Sequence, residues 1–146
     1  MSSILDRLKD ALGEDAVLTG PAVSTRAVSL PFRDMAEHVQ TVKTSLERHW
    51  PTSRLYVLGH IGDGNLHLFV SPGIEAVNLH REVDEVVYTP LAAIGGSISA
   101  EHGIGLEKRE HLRLCRGLEE VEMMRAIKRI LDPKNLLNPG EVLLVP

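Results

Sequence analysis

Gly59-His60-Ile61-Gly62-Asp63-Gly64-Asn65-Leu66-His67-Leu68 is the stretch on which the fold of this chain turns. Asp63-Gly64 is a strong signal for a two-residue hairpin turn. Leu55 and Val57 before it, and Leu66, Leu68 and Val70 after it, alternate as strand residues do. A turn centred on Asp63 and Gly64 predicts a hairpin over residues 54–71 in which Gly62 pairs with Asn65, Ile61 with Leu66 and His60 with His67. Residues opposed in this way share a face, with Cβ atoms about 4.5–5.5 Å apart. Two neutral imidazoles at that separation can reach one divalent ion, for which bonds to nitrogen of about 2.0–2.1 Å are usual. Paired histidines on a half-buried hairpin equally well pack or hydrogen-bond, so a third ligand is needed to decide. Asn65 reads as a turn residue.

Residues 95–105, GGSISAEHGIG, supply candidates. They read as a short strand entering a glycine-lined turn, with Glu101 and His102 at the bend. Three neutral or anionic ligands with one open position describe a catalytic zinc site, whereas a structural one takes four, usually thiolates. The single cysteine, Cys115, excludes the thiolate option and any internal disulfide framework, and it reads as a small packing group in a reducing compartment.

The 146 residues make one domain, large enough to bury a core of Leu, Val, Ile and Ala, since aromatics are only 3%. Sixteen basic against twenty acidic residues, with no basic run longer than Lys108-Arg109, argue against a nucleic-acid surface. The first residues have no apolar leader core, and no segment approaches the roughly 18 apolar residues of a membrane span. A soluble, cytoplasmic protein is expected.

Ser3 and Asp6 cap a helix that runs to Leu12 and stops at Gly13. Residues 27–30 read as a strand halted by Pro31. Met35, Val39, Val42 and Leu46 recur at helical spacing and predict a helix over 34–50, closed by Pro51. Further helices are expected over 75–94, with Pro90 kinking or ending the run, over 105–115, and over 118–131 before Pro133. His38, His49, His80 and His111 fall on these helices among polar neighbours and read as solvated. The glycines at 103 and 105 precede a helix, so their N–H groups could face an anion with Lys108 near it; a plain turn beside a solvated lysine fits equally. Together the elements imply an α+β fold, a mainly antiparallel sheet with helices packed on one face.

Three runs, GHIGDGNLH at 59–67, SAEHGIG at 99–105 and LDPKNLLNPG at 131–140, resemble the C-terminal domain of FAD-linked oxidases. That family includes D-lactate, glycolate and D-2-hydroxyglutarate dehydrogenases. The resemblance implies a ferredoxin-like cap domain in which His60, His67 and Glu101 hold a divalent metal, with zinc the first choice, and bind a small 2-hydroxy acid. It implies that His102 takes the hydroxyl proton as hydride leaves for FAD. The flavin-binding domain of such enzymes has no counterpart here, and residues 1–20 resemble the opening of a full-length member. The expected organisation is therefore an N-terminal helical segment over 1–20 and the C-terminal domain over 21–146, not binding FAD alone, with two alternatives: a separate FAD-binding subunit supplies the flavin, or the chain is a truncated copy. The alternative is a non-catalytic, metal-dependent acid-binding or oligomerisation module, and an exposed former interface would favour homo-oligomers. Thr25 stands where the hydroxyglutarate enzymes carry a lysine, and Phe69 where they carry an asparagine.

Overall fold

Alternation along residues 65–71 sends Leu66, Leu68 and Val70 to one side, where all three are buried, and Asn65, His67 and Phe69 to the other. In the computed structural model, which describes residues 3–13, 23–60, 62–74 and 79–144, this strand is the centre of a three-stranded antiparallel sheet. β1 (Ser24–Ser29) and β2 (Arg54–His60) flank β3 (Asn65–Ser71) in the order β1-β3-β2. Arg26 pairs with Leu68 and Ala27 with His67 on one side of β3, and Val57 with Leu68 and Leu58 with His67 on the other.

Helices that follow β1 cover the apolar face. Before β1 stands α1 (Ile4–Leu12), whose Ser3 hydroxyl accepts from the Asp6 N–H at 3.1 Å while the Asp6 carboxylate accepts from the Ser3 N–H at 2.8 Å, the reciprocal cap expected from the sequence. After a single 3₁₀ turn, α2 (Met35–His49) packs His38, Val42 and Leu46 inward. Next comes α3 (Leu79–Tyr88), burying Leu79, Val83, Val87 and Tyr88; residues 75–78, where the sequence placed its start, lie outside the described residues. Pro90 ends α3 rather than bending it, and a short α4 (Leu91–Ile94) follows. These side chains meet Val28, Leu66, Leu68 and Val70 in one core, each large aliphatic group contributing about 1.5–3 kcal/mol on burial.

Three expectations change. Residues 97–99 form no strand of their own: Ser97 makes an isolated antiparallel bridge to Ser29, and the Ala100 N–H donates to the Ala27 carbonyl at 3.3 Å. Residues 105–115 are a turn followed by a 3₁₀ segment (Arg109–Leu114) instead of an α-helix, because Gly105 takes φ +55° and its carbonyl is bonded at 2.9 Å by the Val142 N–H from the chain's end. Finally, α5 (Leu118–Leu131) has the expected bounds, but of its apolar stripe only Val121 is buried, in a small cluster with Leu112 and Leu143.

Candidate metal centre

In the hairpin His60 pairs with Asn65 and Leu58 with His67. The expected two-residue turn on Asp63-Gly64, with His60 opposite His67, is therefore incorrect by two positions. The reason lies outside the hairpin. Gly64, at φ +74°, is fastened to the end of β1: its carbonyl accepts from the Leu30 N–H at 3.0 Å, and a Cβ there would fall 2.3 Å from the Leu30 oxygen. The turn is completed by the Asp63 N–H donating to the His60 carbonyl at 3.2 Å and the Asn65 N–H donating to the Asp63 carboxylate at 3.1 Å.

A shift of two leaves the pairing of faces intact, because side chains alternate with period two. His60 and His67 become diagonal neighbours on the open face of the sheet, with ring centroids 6.2 Å apart and planes inclined at 66°. Glu101 joins them from the segment stitched to β1: one ligand atom from each of His60, His67 and Glu101 lies within 4.8 Å of the other two. Two donors at about 2.0–2.1 Å from a tetrahedral ion stand about 3.3 Å apart. His67 Nε2 and Glu101 Oε1 are already at 3.3 Å. His60 and Glu101 are exposed and His67 is half-buried, so a fourth position would face solvent.

Two further residues complete the arrangement. His102 is 80% exposed in its side chain, with Nε2 3.4 Å from Glu101 Oε2, the carboxylate oxygen turned away from His67. Asn65, read from the sequence as a turn residue, is buried and donates its amide to Glu101 Oε1, while its own Oδ1 has no partner among the described residues. That amide is the main cause holding the Glu101 carboxyl below the usual carboxylate range, helped by His67 and His102. Its spacing of two from His67, which places both side chains on one face of β3, is the sequence signal for this role.

Thr25, Phe69 and Tyr56 form the next row of the same face, two residues from His67. The histidines expected on solvated helix surfaces divide. His38 is 3% exposed with neither ring nitrogen partnered among the described residues, and burial lowers its pKa, because it begins the inward stripe of α2. His111 is half-buried, its ring 5.4 Å from that of Tyr88.

Residues 2–142 match the family described as FAD linked oxidases, C-terminal domain. The chain is 34% identical over 137 residues to a probable mitochondrial D-2-hydroxyglutarate dehydrogenase of Oryza sativa subsp. japonica, covering 94% of this chain and 24% of that protein. It is 33% identical over 120 residues to the D-2-hydroxyglutarate dehydrogenase of Stutzerimonas stutzeri (79% of this chain, 26% of that one). To the mitochondrial D-2-hydroxyglutarate dehydrogenase of Bos taurus it is 34% identical over 142 residues (97% and 25%). The chain thus spans about a quarter of the length of the curated relatives it matches. With its helix-backed antiparallel sheet and matched sequence, this chain belongs to the FAD-linked oxidase C-terminal domain family.

Proposed function

We propose that the chain forms the metal- and substrate-binding portion of an FAD-linked oxidoreductase acting on a small 2-hydroxy acid of the D-lactate or glycolate type. The observation that carries this is the convergence of His60, His67 and Glu101 on one open face, with His102 beside them. When bound, a divalent ion such as zinc supplies Lewis acidity towards the hydroxyl and carboxylate oxygens, and FAD held elsewhere supplies the hydride acceptor. The chain's own part is positional and acid–base. The two imidazoles and the carboxylate would hold the ion, Asn65 fixes the carboxylate, and the exposed His102 ring would receive the hydroxyl proton at a ring nitrogen.

The relatives named above are hydroxyglutarate dehydrogenases, whose substrate has a second carboxylate. On this chain the row next to His67 is Thr25, Phe69 and Tyr56, about 7 Å away by strand rise and without a cation. Arg26 cannot serve, since it lies on the helix-covered face. A monocarboxylic 2-hydroxy acid fits this row better than a dicarboxylic one.

The test is metal content by elemental analysis together with dye reduction by D-lactate, glycolate and D-2-hydroxyglutarate in the presence of a flavin-binding partner. His60→Ala and His67→Ala are expected to lose metal, and His102→Gln to keep metal while losing activity. Metal retained in both alanine variants refutes the chelate. Preference for D-2-hydroxyglutarate refutes the substrate class, and dye reduction by no 2-hydroxy acid favours the metal-dependent binding module.

A further inference from the structure

On the side of the sheet away from His60 and His67, a cavity of about 590 Å³ opens between β1, α3 and the 3₁₀ segment. Its floor is an ion pair between the buried Arg26, whose Nε donates to Asp84 Oδ1, and that aspartate on α3. Arg26 is held further by the Thr25 carbonyl at 3.3 Å and the His80 carbonyl at 3.2 Å. Tyr88 and His111 make one wall, and His111 Nε2 lies 3.9 Å from Asp84 Oδ2. At the rim Arg81 and Glu110 face each other at 3.9 Å, so their charges offset.

Lys108 breaks this balance. It lines the same cavity half-buried, and no carboxylate among the described residues forms an ion pair with its ammonium group. Burial, and next the Arg26 guanidinium, push its pKa down. The lining carries four cations, Arg26, Arg81, Lys108 and Arg109, against three carboxylates, Asp84, Glu107 and Glu110, which leaves one positive charge in excess, with Lys108 partly withdrawn from water and open to a counter-ion. Glu107, also on the lining, is exposed and does not reach within ion-pair distance of Lys108. The buried Tyr88 phenol remains protonated, because burial and Asp84 raise its pKa, and so offers a neutral donor to an anion.

We propose that this cavity is a second small-molecule site that binds a single oxyanion, a carboxylate or a phosphate, through Lys108 against the Arg26–Asp84 floor. It is independent of the metal centre, which lies on the opposite face.

The test is a chemical-shift titration of the whole chain with sodium acetate and, separately, with inorganic phosphate, against sodium chloride at matched ionic strength. Saturable shifts of Arg26 Nε–H, His111 and Lys108 with acetate alone identify a carboxylate site, and with phosphate alone a phosphate site. Lys108→Met is expected to weaken the response at least tenfold, and Lys108→Arg, which restores the charge, to recover most of it. Thermal melts of both variants show whether the fold survives. His67→Ala is expected to bind the anion unchanged, which separates this site from the metal chelate. Non-saturating shifts equal to those of chloride, or full binding by a folded Lys108→Met, overturn the proposal.

Discussion

Replacing Asn65 by alanine tests how the ligand set is held together. The side chain is 6% exposed and donates to Glu101 Oε1, the oxygen 3.3 Å from His67 Nε2. Without that donor the carboxylate loses its shortest side-chain contact and the main cause of its lowered pKa. Removing the partner behind a ligating group lowers metal affinity about 10–100-fold. Asn65→Ala is therefore expected to bind zinc about 10–100 times more weakly at pH 7 in competition with a chromophoric chelator, with a thermal melt confirming the fold. The pH dependence has a definite sign. In the native chain the lowered Glu101 pKa preserves the ligand to more acid pH, whereas in the variant protons compete from a higher pH. The carboxyl's share is the ratio of the two affinities, which grows as pH falls towards the ordinary carboxylate range. Equal affinities at every pH, in a variant that melts as the native chain does, would refute the positioning role of Asn65.

Gly64→Ala is expected to destabilise the chain by about 2–3 kcal/mol in denaturant unfolding, from the left-handed backbone and the loss of the bond from Leu30; a loss under about 0.5 kcal/mol would contradict the close approach. His38 is kept neutral by burial, so the native chain is expected to lose stability as pH falls below its ordinary value of 6.5, with a slope of at most about 1.4 kcal/mol per pH unit for one proton; His38→Leu is expected to flatten that limb, and an unaltered slope would refute it. Asp132 accepts from Lys128 and from the Leu136 and Leu137 N–H groups, which hold its carboxyl at about 2, below the ordinary 3.8. Its contribution is present above pH 3.8 and lost as pH falls towards 2, so Asp132→Asn is expected to lower the melting temperature at pH 7 and to reduce its fall across that acid window.

The features legible in the sequence were those determined by neighbours in the chain. The Ser3–Asp6 cap, the ends of α5 and the outer limits of the hairpin depend on residues within a few positions of each other. The hairpin register was not legible, because the turn is set by Leu30, more than thirty positions from Gly64. The face shared by His60 and His67 was nonetheless read correctly, since an error of two positions does not alter which side of a strand a residue faces. His38 was misread because Met35 and Val39 suggested a stripe one step round the helix from the buried line of His38, Val42 and Leu46. The surroundings of Lys108 depend on Arg26 and Asp84, which only the packing of α3 against β1 brings together.

The stitching of residues 97–100 onto β1 has a further consequence. Ser29 and Ser97 exchange backbone bonds of 3.0 and 2.6 Å, and Ala100 is bonded to Ala27 immediately before Glu101. All three donor side chains are thus carried on a single hydrogen-bonded lattice whose ordering accompanies folding, not ion capture. A chain loaded with zinc and then stripped with a chelator is expected to remain cooperatively folded and to reload rapidly, unlike small zinc modules whose chains unravel when emptied.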